Sequence, residues 1–285
     1  MGFYVKLNYL MPSMLEVKRK KIGLALGSGG ARGLAHIGVI RVLEKHGIPM
    51  DFIAGSSIGA VVGGFYAATR DINWVEKVLT GNDRRQLFEL FWDLAVFKGG
   101  LLKGDKGVKY FRDKLTEQTG KDEVLFKDLL LPFSAVATNL ESGEAVVLRS
   151  GNLLGALRAS YSIPFLFQPV LSEKKLLADG GLSQPVPVNV ARSMGADIVI
   201  GVNLDAHFPK QNIEKVHMTS LAPPLLNIVR HNLASKDLQL ADIKIEPKIT
   251  NSSLLGIKHF LDAKEFISKG EEAMESEITN LKKLI

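Results

Sequence analysis

The chain has 285 residues, with 36 lysines and arginines against 30 aspartates and glutamates, and no cysteine. An apolar share of 46% excludes wholesale disorder, and the missing cysteines exclude disulfides, cysteine-ligated zinc, iron–sulfur clusters and a cysteine nucleophile. The formal charge of +6 is too diffuse to indicate nucleic acid; it suits an anionic membrane surface or an acidic substrate as readily as an ordinary basic exterior.

Residues 1–14 are mildly apolar and lead into Lys18, Arg19, Lys20 and Lys21, the reverse of the order in an export signal. Lys6 breaks the myristoylation pattern, and Met11 and Met14 are alternative starts. Residues 1–20 read as an N-terminal extension and 21–285 as one domain. The expected location is cytoplasmic, with transient contact to a membrane surface.

Residues 21–26 form a short apolar run with branched side chains, which predicts a strand. After a glycine-rich segment, Leu34, Ile37 and Ile40 recur at helical spacing within 31–46, until Gly47 and Pro49 stop the pattern. A second strand is predicted at 52–54 and a second helix at 57–68. Strand, helix, strand, helix with short connections is the order of a parallel α/β sheet. The uncharged stretch 52–69 approaches the length of a membrane span and carries Gly55, Gly59 and Gly63 at four-residue spacing. The Gly-Ser-Ser near its start favours a strand, a sharp turn and a buried helix instead. Further along, 74–97 predicts a helix, and 132–138 with 145–148 a hairpin around Glu141, Ser142 and Gly143. A helix at 152–160, a strand at 176–178, a helix at 188–194 and a buried strand at 198–202 follow. Residues 205–224 read as loop, ending in Pro223 and Pro224. The chain closes with a helix at 225–240, a strand at 243–245 and a charged helix at 263–284.

Three glycine-bearing motifs carry chemistry. The first, Gly55-Ser56-Ser57-Ile58-Gly59, is G-x-S-x-G between a predicted strand and a predicted helix, the setting in which a serine hydroxyl is thrust out from a sheet edge. The plain alternative is a tight turn with capping serines. The second, from Gly27 through Gly33, follows the first strand and opens the first helix, so its amides could face an anion. It fits neither frame of a dinucleotide fingerprint and lacks the lysine of a nucleotide phosphate loop. An oxyanion hole built from Gly29, Gly30 and Ala31 or Arg32 is the other reading. Arg32 either orients that loop or covers the surface.

A serine nucleophile needs a base. Of the six histidines, His36, His46, His207, His217, His231 and His259, the last four lie late in the chain, in polar loops or charged helices without a distinctive turn. The third motif, Asp179-Gly180-Gly181, ends a short apolar strand, where an aspartate points toward the crevice of an α/β sheet. A capping aspartate in a glycine turn is its plain reading.

Taken in chain order, Gly29-Gly30-Ala31-Arg32-Gly33, then Gly55-Ser56-Ser57-Ile58-Gly59, then Asp179-Gly180-Gly181, the motifs resemble those of the patatin-like phospholipases, particularly the bacterial ones. A fourth block, Ala159-Ser160-Tyr161-Ser162-Ile163-Pro164, also resembles that family's segment before the aspartate. The resemblance covers about residues 21–204. Ser28 and Phe165 stand where the family commonly has glycine. The resemblance implies a three-layer α/β/α fold with a mainly parallel central sheet. It also implies a Ser57–Asp179 dyad, in which Ser57 attacks an ester carbonyl and Asp179 takes its proton without a histidine. Gly29, Gly30, Ala31 and Arg32 would hold the oxyanion, with Gly33, Gly55, Gly59, Gly180 and Gly181 supporting them. No metal and no cofactor are expected. The implied substrate is a fatty-acyl ester of a phospholipid or lysophospholipid. A Ser-His-Asp carboxylesterase and a non-catalytic nucleotide- or phosphate-binding module are the other readings. The aromatic and aliphatic cluster from Leu87 to Phe97, followed by Gly99, Gly100 and Gly104, reads as a core helix or as a hinged lid over an acyl channel.

Overall fold

Alternate residues of the first strand serve opposite faces of one sheet. Ile22, Leu24 and Leu26 belong to one buried cluster and Ala25 to another. The computed structural model describes residues 19–81, 103–207, 218–249 and 263–285. Its sheet has eight strands: β1 (Ile22–Leu26), β2 (Phe52–Ser56), β3 (Phe133–Asn139), β4 (Ala145–Leu148), β5 (Val170–Ser172), β6 (Lys175–Asp179), β7 (Ile198–Val202) and β8 (Ile243–Ile245). The order is β5-β6-β3-β2-β1-β7-β8, with β4 pairing β3 off this path. The five strands from β3 to β8 are mutually parallel, whereas β4 and β6 run antiparallel to β3, and β5 to β6.

Helices cover both faces. On the first lie α1 (Ala35–Lys45), α2 (Ile58–Thr69), α3 (Ile72–Thr80) and the closing α8 (Ala263–Leu284), packed on Leu24, Ile53 and Ile200. Between α3 and α8 in the chain come α4 (Asp105–Thr119), α5 (Leu153–Ser160), α6 (Val188–Ser193) and α7 (Met218–Leu238). On the second face α6 and α7 pack on Ala25, Ala54 and Val199 through Val188, Ala191, Ala234 and Leu238. The expected mainly parallel α/β sheet with helices on both sides is therefore present. Helix α1 meets α8 at close range because glycine occupies the contact on each: a Cβ on Gly270 would lie 1.9 Å from the Ala35 carbonyl oxygen.

Strand β3 works as a ruler. Its residues Ala135 and Val136 pair with both β2 and β4, so those two strands lie on opposite edges of it. Its residues Ala137 and Thr138 pair with both β4 and β6, which puts β6 on the same edge as β2. Ser56 pairs with Val136, and Asp179 pairs with the next residue, Ala137. One strand ends where the other ends, head to head, so Ser57 and Asp179 are brought together by register alone.

The stretch 52–69 is a strand, a turn and a helix, and no helix among the described residues is long and apolar enough to cross a membrane. Three elements differ from expectation. The loop expected over 205–224 is helical from Met218, although Pro223 and Pro224 in its second turn each remove one i→i−4 hydrogen bond. Helix α4 goes unpredicted because Leu115 alone is buried in it. Strand β5 is three residues long, too short to show alternation. The predicted helix over 74–97 is present as α3, which begins earlier because Asp71 caps it by accepting from the Trp74 amide at 2.9 Å. The rest of that segment and the cluster from Leu87 to Phe97, with Gly99 and Gly100, lie outside the described residues.

Candidate active site

Ser57 stands between β2 and α2 with φ 55° and ψ −123°, a conformation that side chains avoid. Such strain costs on the order of 1–3 kcal/mol and persists only where the surroundings impose it. Here the first turn of α2 imposes it, with the Ala60 amide 2.9 Å from the Ser57 carbonyl oxygen. That turn sits directly on the end of β1: a Cβ on Gly59 would lie 2.2 Å from the Leu26 carbonyl oxygen. The Ser57 amide donates to Ser160 Oγ at 2.9 Å, and Ser160 Oγ donates in turn to the Val136 carbonyl at 2.6 Å.

The Ser57 hydroxyl donates to Asp179 Oδ2 at 2.5 Å. The other carboxylate oxygen accepts from the Gly181 amide at 2.7 Å, and the Asp179 amide donates to the Ser162 carbonyl at 3.0 Å. Ser57 and Asp179 are 4% and 5% exposed. Burial raises the Asp179 carboxyl to about 6, against the opposing pull of the Ser57 and Gly181 donors and of Arg230. The carboxylate is thus a far better proton acceptor than a solvated aspartate, while at neutral pH it remains about nine-tenths ionised.

The glycine loop touches both of these residues' neighbourhoods. A Cβ on Gly33 would lie 2.2 Å from Ile58 Cγ1, and one on Gly181 would lie 2.9 Å from Ser28 Oγ. The loop leaves β1 with the Gly27 amide bonded to Val202 and the Ser28 amide to Pro185. Gly30, at φ 58°, then turns it into the short 3-10 helix Gly30–Leu34, which contains Ala31, Arg32 and Gly33. The first amides of such a turn have no partner within it. Gly55 and Gly180 close the packing: a Cβ on Gly180 would lie 2.2 Å from the Val136 carbonyl oxygen and one on Gly55 2.5 Å from Ala60 Cα. All the residues singled out in the three motifs therefore converge at one end of the parallel strands.

Arg32 is not a surface residue. Its Nε donates to the Gly29 carbonyl at 3.2 Å, and its guanidinium pairs with Asp205 at 2.6 Å. Asp205 also pairs with Arg230 of α7 at 2.5 Å. Neither Asp205 nor Arg230 has a sequence signature, since their partner on the loop lies 173 residues from Asp205. The block from Ala159 to Pro164 is equally structural in its placing: Ser160 holds the Ser57 amide, and Ser162 holds the Asp179 amide. Arg158 donates to Ser162 Oγ at 2.5 Å and stacks over the rings of Tyr161 and Phe167.

Three of the four described histidines are engaged elsewhere. His36 Nε2 donates to the Gly27 carbonyl at 2.8 Å, His46 bonds Glu275, and His231 donates to the Asp205 carbonyl. Among the described residues no hydrogen bond joins a histidine to Ser57, and no group of three His, Asp or Glu side chains is placed to hold a metal ion. His217 and His259 lie outside those residues. A cleft of about 460 Å³ opens at the start of β1 and β7, the end of the strands opposite Ser57, and its Arg19 and Lys20 are already bonded to Asp51 and Leu284.

A family model described as Patatin-like phospholipase matches residues 24–192, the span that holds all three motifs. The chain belongs to the patatin-like phospholipase family. Among relatives, an uncharacterised NTE family protein of Mycobacterium tuberculosis is 40% identical over 200 residues, which are 68% of this chain and 52% of that protein. A protein named lysophospholipase nte1 from Neurospora crassa is 32% identical over 188 residues, 65% of this chain and 12% of that protein. The chain thus spans about half of the mycobacterial relative and a small part of the fungal one. Among solved structures, VipD from Legionella pneumophila aligns at a TM-score of 0.48 and 15% identity, covering 90% of this chain and 67% of that one. In this patatin-like chain the family match ends before Asp205 and Arg230, so the arginine pair lies partly outside it.

Proposed function

We propose that this patatin-like protein is a serine acyl hydrolase that cleaves fatty-acyl esters of phospholipids or lysophospholipids. The contact between Ser57 Oγ and Asp179 Oδ2 is the observation that carries the reading. Ser57 attacks the ester carbonyl carbon as its proton passes to Asp179. The carbonyl electron pair moves onto oxygen, facing the amides of Gly29, Gly30, Ala31 and Arg32. Each such donor contributes roughly 3–4 kcal/mol when it is aimed at the developing charge. Collapse of the tetrahedral species breaks the ester C–O bond, and Asp179 returns the proton to the departing alcohol. Water then attacks the acyl-serine, giving its proton to Asp179. Fatty acid leaves, and Ser57 recovers its hydrogen.

A raised carboxyl suits this cycle, because a proton held near pH 6 is easily taken and easily given back. The lysophospholipid class is supported by the name of the fungal relative. Contact with a membrane surface follows from an insoluble substrate.

The test is fatty-acid release from micellar lysophosphatidylcholine and phosphatidylcholine by the wild type, Ser57→Ala and Asp179→Asn, beside fluorophosphonate labelling mapped by mass spectrometry. Release that vanishes in both variants, with the label on Ser57, is expected. A wild type that neither releases fatty acid nor takes the label overturns the reading; release lost only on replacing a histidine transfers it to a Ser-His-Asp esterase.

A further inference from the structure

Two buried arginines share one buried carboxylate behind the glycine loop. The side chains of Arg32, Arg230 and Asp205 are 4%, 7% and 5% exposed. Asp205 Oδ1 accepts from both guanidiniums, and Oδ2 accepts from Arg230 Nε at 3.1 Å. The carboxylate is itself fixed: the Asp205 amide donates to Asn203 Oδ1 at 2.9 Å, and its carbonyl accepts from His231 Nδ1 at 2.6 Å. Arg32 passes this fixation to the loop through Nε and the Gly29 carbonyl.

A buried charge is tolerated only when it is paired, and among the described residues two positive charges here answer one negative. A hydrophobic core gains nothing from such a surplus. It makes sense where a negative charge must be accommodated nearby. Two are: the ionised Asp179 and the oxyanion that the glycine loop would face. Arg230 is the cation that acts on Asp179, in the direction of ionisation, while Asp205 acts against it. Among the described residues the other charged or titratable groups around the site are otherwise committed. Arg32 faces Asp205, Arg158 faces Ser162 and the Lys103 and Gln168 carbonyls, His36 faces Gly27, and His231 faces the Asp205 carbonyl.

We propose that Asp205 and Arg230, both beyond the family match, are positioning residues for the Ser57–Asp179 chemistry: they set the glycine loop through Arg32, and the unmatched charge of Arg230 favours the ionised dyad and the oxyanion. This rests on the acyl-hydrolase reading for its kinetic part only. The loop-setting part concerns amide geometry and is measurable without turnover.

The experiment uses the full chain with Arg230→Met and Arg230→Lys. Both are first checked for folding by thermal melts, and the neutral Arg230→Gln, held to the same expectations, stands in if the methionine variant melts below the assay temperature. Hydrogen exchange at Gly29–Gly33 is followed by mass spectrometry, and ester hydrolysis is followed against pH. In Arg230→Met, exchange in the loop should rise at least fivefold. The rate constant kcat should fall tenfold or more with KM within threefold, and the acid limb of kcat/KM should move upward by at least half a pH unit. Arg230→Lys, which keeps the charge but gives up the fork, should loosen the loop while leaving the acid limb in place. A folded Arg230→Met with unchanged loop exchange and an unchanged limb overturns the proposal. An inactive wild type would sink the hydrolase reading alone, because the exchange arm still decides whether the brace exists.

Discussion

The Ser57 hydroxyl and the Asp179 carboxylate meet at 2.5 Å across 122 residues of chain, both of them buried. If Asp179 takes the serine proton, it must be ionised before the reaction starts. With its carboxyl raised to about 6 by burial, log kcat/KM should fall with unit slope below about pH 6 and flatten above pH 7. Asp179→Asn and Ser57→Ala should each lower kcat by roughly a thousandfold or more, in the range seen for loss of a nucleophile or its base. His46→Ala and His207→Ala should stay within threefold of the wild type. An acid limb at pH 4, the position of a solvated aspartate, would contradict the assignment.

The same burial makes Asp179 a stability liability. Its folded carboxyl titrates near 6 and its unfolded one near 3.8, so between those values the folded chain holds a proton that the unfolded chain has released. Stability therefore declines as pH rises through that window and stays reduced above it, by up to about 3 kcal/mol. Asn keeps an acceptor for the Gly181 amide and carries no charge. Asp179→Asn should raise the melting temperature at pH 7.5 by at least about 2 °C and leave it unchanged near pH 4. Calorimetry at the two pH values checks this; a variant melting lower than wild type at pH 7.5 would remove burial as the cause of the raised carboxyl.

The central strands were legible because each is a short apolar run between turn residues, and β3 with β4 because a polar turn separates them. The meeting of Ser57 with Asp179 was legible only by resemblance. Composition and periodicity say nothing of the register on β3 that aligns Ser56 with Val136 and Asp179 with Ala137. Arg32 was ambiguous for the same reason, since its partner lies after β7. Helix α4 was missed although Val108, Phe111 and Leu115 recur at helical spacing, because charged residues interrupt them and Leu115 alone is buried; of α7 only the opening turns were missed, because Pro223 and Pro224 ordinarily mark a boundary.

Phe165 holds φ 67° with 70% of its surface exposed. An aromatic residue in the left-handed region is strained, and little burial compensates it here. Glycine reaches that conformation freely. Phe165→Gly should raise stability by about 0.5–1 kcal/mol, the released strain being partly offset by the more flexible unfolded chain. Urea unfolding measures it directly. A loss of more than 1 kcal/mol would mean that the ring makes contacts its exposure does not suggest.

His36 is wholly buried, with Nε2 donating to the Gly27 carbonyl and Nδ1 without a partner among the described residues. Burial lowers its imidazole to about 4, so the ring is neutral and its Nε2 carries the hydrogen. Between about 4 and the unfolded value of 6.5, the unfolded chain binds a proton that the folded chain refuses. Stability on this account falls as pH drops through the window, by up to about 3 kcal/mol. Asp179 pulls the opposite way over nearly the same range, so in the wild type the two largely cancel. Removing one exposes the other: Asp179→Asn should lose melting temperature from pH 6.5 to pH 4 more steeply than the wild type. Adding His36→Gln to that variant should flatten the curve again, since glutamine can donate to the Gly27 carbonyl and does not titrate. Asp237, also raised to about 6 by burial, is present in both variants and drops out of the comparison. If the double variant remains as acid-sensitive as Asp179→Asn, the neutral buried histidine is not the source of the slope.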